Sequence, residues 1–434
     1  MTSSTKIYLL LHFFSSIWGQ QCPYSSQYQE QGTCGCTRDV KLIRSNLPSC
    51  SVPYEDFPSA RNVYGNAPRV DQSFPTWINY ELFQRGQQFA RNNFWSVGLA
   101  AALGRAANMN TPDIRDVIMF TQVMSSSPIV CARILSSFAA KNMVWFQDIQ
   151  GGPPRDDSDF LQTVNRIRWI HIKVARDIDA KRRKDAYNPE IVDESTFDNV
   201  TINDAVWDAF QKDLIASPIP EVERRLPPHF EERNTSTPYF NQQSLSLFLF
   251  NAFAYPILAG GNFGIVGSDL WAFNHLSAVI GYSLGIDDAY NLALQPNFKE
   301  LKEYYSKIFK GYIVPGFFHL DKRSKVTLEN IMKGTQINIP GWTLQLYLYR
   351  LLTVVMRVPG YNLRKLFTIE DTFQDAAWNG VTLPNLLNSK NYRDATNNNS
   401  IQDYLRVGER YYGANYTNQW GRARYSFYTP IRND

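Results

Sequence analysis

Between Asp269 and Leu292 the chain sets Trp271, His275, Ala278 and Tyr282 at spacings of four, three and four. That recurrence puts all four on one stripe of an α-helix. Gly285 closes it, because glycine takes the left-handed conformation without a Cβ clash. Phe160, Val164, Ile167, His171, Val174 and Ile178 repeat the arrangement, so His171 is expected to point inward as well. Helical patterning also runs through Phe83–Ala107, Pro112–Val123 and Pro128–Phe146, and no strand–helix–strand alternation interrupts it. The prediction is an all-α, multi-helix bundle.

Gln243 to Leu258 is apolar on every side, which predicts a helix buried centrally or crossing a membrane. Asn251 and Pro256 interrupt a short apolar run, and this favours burial. Trp342 to Val358 is nearly as apolar, but Gln345 and Arg350 argue against a full span. It reads as a core helix or as one lying against a membrane surface. Residues 21–75 are rich in Cys, Pro, Ser and Tyr and read as a disulfide-pinned N-terminal arm; 76–365 read as the helical domain. Residues 366–434, rich in Asn, Tyr and Arg, read as a polar, peripheral C-terminal extension.

A net charge of +4 over 434 residues gives no reason to expect a nucleic-acid partner, which demands a concentrated basic face. The one basic run, Lys181 to Lys184, reads as a solvated helix end. Residues 1–20 look like a secretory signal: Lys6, the apolar run Ile7 to Trp18, then Gly19 as a cleavage point. Cys22, Cys34, Cys36 and Cys50 crowd into twenty-nine residues, which suggests two disulfides in an oxidising compartment. Cys34 and Cys36 are too close to pair comfortably, so each is expected to bond to Cys22 or Cys50; Cys131 is expected to be a buried free thiol. Asn199, Asn234, Asn398 and Asn415 head glycosylation sequons in polar, loop-like surroundings. The expected address is the secretory pathway, secreted or lumenal.

Common catalytic signatures fail: there is no phosphate-binding loop, no His-Glu-x-x-His and no Cys-x-x-Cys-His, and Gly281-Tyr-Ser-Leu-Gly285 ends a helix rather than following a strand, so it is no nucleophile elbow. The Gly260–Gly267 stretch follows an apolar helix rather than a strand and reads as a connector. Histidine and cysteine residues are too scattered for a closed zinc site. What remains is the pair of inward imidazoles. A lone histidine on an apolar face is more commonly a hydrogen-bonded core residue than a ligand; two such helices in one chain make a shared site worth testing.

Several segments recur in an order that resembles a known family. They are Phe83-Gln-Arg-Gly-Gln-Gln-Phe, Ser125-Ser-Ser-Pro, Ile167-Arg-Trp-Ile-His171, Asn241-Gln-Gln-Ser-Leu-Ser-Leu and Phe273 to Leu292. Over residues 76 to 360 they resemble the animal branch of the rubber oxygenases (latex-clearing proteins) and the mpaB-type ER-bound oxygenases. The resemblance implies a globin-like helical bundle, and a b-type haem that activates dioxygen to cleave carbon–carbon double bonds. His171 matches a family histidine and Arg166 a basic residue near the haem, while Ile167 stands where the family has threonine. The family's haem-ligating histidine is absent from the Phe248-Leu249-Phe250 region, with Phe250 in its place.

Haem iron needs an axial donor, so His275, His171 or Tyr255 becomes the candidate. If His171 and His275 faced one cavity, one would ligate iron while the other steered oxygen, and Arg166 or Arg168 would pair with a propionate. The expected activity is a haem-dependent oxidoreductase acting on an apolar lipid or isoprenoid, with Phe248, Phe250 and Phe253 lining its pocket. The alternative is a non-catalytic helical protein of the same fold that binds an apolar ligand or partner.

Overall fold

In a computed structural model, the described residues are 36, 48–67, 74–124, 127–146, 158–184, 201–231, 237–338 and 341–412. All belong to one compact unit, 35–434. The expected signal peptide, Cys22, Cys34, Asn199, Asn234 and Asn415 lie outside them. Among the described residues there is no strand, and the architecture is an all-α multi-helix bundle. An isolated antiparallel bridge joins Tyr64 to Asn241.

The longer helices are α1 (Tyr80–Asn92), α2 (Phe94–Asn108), α3 (Pro112–Thr121), α4 (Pro128–Trp145), α5 (Asp159–Lys184), α6 (Asp204–Ile215) and α7 (Gln242–Ala259). They continue as α8 (Leu270–Leu284), α9 (Phe298–Ile308), α10 (Lys322–Asn338), α11 (Leu344–Arg350), α12 (Ile369–Ala377) and α13 (Lys390–Tyr412). Starts are set by side-chain caps. The Asn79 carboxamide accepts from Leu82 N–H at 3.0 Å to open α1, and Asn241 accepts from Ser244 N–H at 2.8 Å to open α7. Gly285 ends α8 as expected, with φ of 101° and the Gly285 and Ile286 amides turned back onto Tyr282 and Gly281 carbonyls.

Three helix pairs form the frame: α1 on α8, α2 on α7, and α4 on α10. Each has a glycine at the crossing. A Cβ at Gly86 would run into the Ala272 carbonyl, one at Gly104 into the Asn251 carbonyl, and one at Gly334 would lie 2.6 Å from Cys131 Cβ. Backbones therefore meet where a side chain would hold them apart. Helix α7 is buried nearly all round. Gln242–Phe263 is the one described helix long and apolar enough to cross a membrane, but 67% of its window lies inside protein, in keeping with a core helix.

Asn251, the polar residue midway along α7, is neutralised there. It donates to Asn108 Oδ1 at 2.8 Å and accepts from the Tyr255 hydroxyl at 3.3 Å. The Trp342–Val358 segment is likewise core: Leu346, Leu348, Leu351 and Leu352 are buried and Arg350 pairs with Asp375 at 2.7 Å.

The N-terminal arm is held by one disulfide among its described residues, Cys36–Cys50. Its 3-10 segment, Tyr54–Asn62, carries Arg61 into a buried fork on Asp113, with both nitrogen–oxygen distances at 3.0 Å. Asn241 also donates to Asp113 at 3.0 Å, so one carboxylate ties the arm, α3 and the start of α7 together. The polar C-terminal segment supplies helices through Tyr412, with α13 packed on α4. Asn398 stands exposed within α13, which corrects its expected loop setting.

Candidate ligand cavity

A cavity of about 240 Å³ lies among α2, α3, α4, α5 and α7. The upper half of the α5 stripe forms one wall through Ile167, His171, Val174 and Ile178, while Phe160 and Val164 below it are packed into the core. Helix α7 contributes Leu245, Phe248, Ala252 and Phe253. Phe250 does not line the cavity; it turns away onto Tyr305, 5.1 Å between ring centroids. The α7 aromatic that faces the space at this level is Phe248, which cannot coordinate iron either.

The two imidazoles part company. His171 lines the cavity beside Phe240, at 5.5 Å, and its Nδ1 has no hydrogen-bond partner. Burial, and then the charge of Lys141, push its pKa down to about 4, so the ring is neutral at pH 7. His275 is buried in α8 outside the cavity lining. Its Nε2 accepts the Asn79 backbone N–H at 3.1 Å, and Trp77 packs edge-on at 5.8 Å. That bond satisfies an amide at the opening of α1 that has no intrahelical partner. The expected convergence of His171 and His275 on one space is thus corrected: His275 serves the fold.

The expected propionate partners are displaced too. Arg168 donates from Nε to Asn66 Oδ1 at 2.6 Å and from a terminal nitrogen to the Ala67 carbonyl at 3.1 Å, latching α5 to the arm. Arg166 is half-buried on α5 and absent from the cavity wall. Tyr255 lies outside it as well.

The cations at the cavity are Arg105 of α2 and Lys141 of α4. Neither has a carboxylate partner among the described residues. Asp113, the carboxylate on the wall, is already forked by Arg61. Lys141 Nζ stands 4.8 Å from the Phe138 ring centroid and 4.4 Å from that of Trp145, and Arg105 Cζ stands 5.4 Å from Phe138. Each such contact returns about 0.5–2 kcal/mol, against several kcal/mol to desolvate each ion. Burial, then the like charge of Arg105, lower Lys141 to about 7. Trp145 is 2% exposed, and its indole N–H on this wall also lacks an acceptor.

Sequence reasoning missed these residues, although a signal existed. Ala101, Arg105 and Asn108 share one face of α2, and Phe138, Lys141 and Trp145 share one face of α4, each by spacings of three and four. A basic residue on a largely core-facing stripe is the mark of a half-buried cation.

Among the described residues no group of three or more His, Cys, Asp or Glu could hold a metal ion. Cys131 is a buried free thiol whose Sγ–H points to the Met124 carbonyl at 3.0 Å, and burial raises it to about 12. It is inert. No protein-family model matches the chain, nor does a curated protein or a solved structure.

Proposed function

We propose that the protein binds an apolar small molecule in the cavity between α2, α3, α4, α5 and α7, as a helical carrier. The observation that carries this reading is a space with apolar walls and a few polar groups that find no partner among the described residues, which is how ligand pockets are built. At about 240 Å³ it sits just under the usual range of about 300–1,000 Å³ and suits a slender molecule. The test is Nile red binding to protein from a eukaryotic secretory host, with the Ala252→Phe variant alongside. Wild type should bind one dye per chain, and the variant should lose binding at unchanged helical circular dichroism. Equal binding by both places the ligand elsewhere and ends the reading.

A second reading, a haem-dependent oxidoreductase, draws on the neutral imidazole of His171 on the cavity wall, but a space of about 240 Å³ is too small for a porphyrin unless the helices part. His171 would hold the iron, and Arg105 and Lys141, rather than Arg166 and Arg168, would hold the haem carboxylates. Bound haem would supply dioxygen activation toward an apolar substrate. Haemin titration tests it: a Soret band that survives His275→Ala and is lost in His171→Ala supports it, and no band in wild type sinks it. The secretory address is supported by the Cys36–Cys50 disulfide and by an exposed sequon at Asn398. A mass shift on deglycosylation would bear it out.

A further inference from the structure

We propose that the cavity selects a ligand with an acidic head, a long-chain carboxylate, seated against Arg105, Lys141 and the Trp145 indole N–H. The inference rests on the binding reading above and adds the chemical class.

All three groups donate and none accepts. They come from two helices that meet at this wall: Arg105 from α2, and Lys141 and Trp145 from successive turns of α4. The cations act on each other, since the charge of Arg105 contributes to lowering Lys141. A ligand carboxylate would relieve that repulsion and accept a hydrogen bond from the indole N–H. A neutral head would leave both charges as they are.

Among the described residues no protein carboxylate fills this role. The facing titratable groups are Asp113 on α3, which is committed to Arg61, and His171 on α5, held neutral by burial. Tyr239 lines the cavity from the segment before α7, and α7 itself brings none. Tyr347 and Tyr404 act on Arg105 from α11 and α13, and a phenol offers no charge at pH 7. The apolar walls beyond, from α5 and α7, suit a hydrocarbon chain. A guanidinium and an ammonium carry two positive charges, and a ligand carboxylate offsets one of them.

The experiment is calorimetric titration of the full chain with dodecanoate, and in parallel with dodecanol. At pH 6.5 the carboxylate should bind at least roughly tenfold tighter, the usual effect of a charged hydrogen bond. Lys141→Gln and Arg105→Gln should each shrink that preference. Wild type supplies a measure that needs no variant. From pH 6.5 to 8.5 the preference should fall as empty Lys141 loses its proton, and binding at pH 8.5 should take up a proton.

Equal affinity for acid and alcohol overturns the acidic-head assignment and leaves the binding reading standing. Failure of both ligands overturns the two together. Haemin offers the same carboxylate chemistry, so its arm is read at the Soret band. Haemin bound while dodecanoate is not would overturn the long-chain assignment in favour of a tetrapyrrole acid.

Discussion

Replacing Lys141 with methionine should stabilise the ligand-free protein. The ammonium titrates at about 7 in the fold against 10.5 in the open chain. At about 1.4 kcal/mol per tenfold change, keeping it charged in the fold costs roughly 5 kcal/mol at most. Methionine fills a similar volume without a charge, but it forfeits the ammonium contacts with Phe138 and Trp145, each about 0.5–2 kcal/mol. The net gain should fall at about 1–4 kcal/mol, as when other buried ions are replaced by hydrocarbon.

The sign with pH is fixed by the direction of the shift. Below about pH 7 both states carry the proton, and the folded state bears the whole cost. Between about 7 and 10.5 only the unfolded chain remains protonated, and the cost shrinks as pH rises. Urea unfolding followed by circular dichroism should therefore show a higher midpoint for Lys141→Met at an unchanged slope, with a larger gain at pH 6.5 than at pH 9.5. A variant no more stable than wild type at pH 6.5, or one that gains more at pH 9.5, would refute a half-buried ammonium without a carboxylate among the described residues.

Asp113→Asn should cost about 3–5 kcal/mol in the same assay, because it leaves Arg61 buried without its counter-ion. His275→Ala should cost about 1–3 kcal/mol by stranding the Asn79 amide, and ligand titration of that variant should match wild type. Burial holds His171, His229 and His275 at about 4 against the usual 6.5. The unfolded chain binds protons in that window that the fold does not, so the denaturation midpoint should drop as pH falls from 6.5 to 4. Gly104→Val should destabilise by about 1–3 kcal/mol or more, since it forces α2 off α7; thermal melts check it.

The helical class, the inward side chain of His171, the end of α8 at Gly285 and the burial of α7 were all legible from periodicity, because a helix repeats its faces every three to four residues. Pairing rules beyond one helix were not legible. Inwardness is a property of a stripe, whereas the partner a stripe meets depends on how helices cross. His171 and His275 have the same local pattern, yet one meets a cavity and the other a backbone amide. Arg166 and Arg168, adjacent to that pattern, find a half-buried position and a latch on Asn66. Arg105 and Lys141 sit 36 positions apart and acquire meaning only where α2 and α4 converge.

By itself the amino-acid order determined that this chain folds as packed helices and which faces of α5, α7 and α8 turn inward; which helices cross at Gly86, Gly104 and Gly334, and that Cys36 joins Cys50, came from the fold. Tertiary structure alone decided which buried polar atoms were satisfied. Asp113 is neutralised by Arg61 from a distant segment, while Arg105, Lys141 and the Trp145 N–H are left facing a space. The reason is physical: burial is set by local hydrophobic period, but hydrogen bonding and charge balance are set by neighbours that only the folded chain supplies.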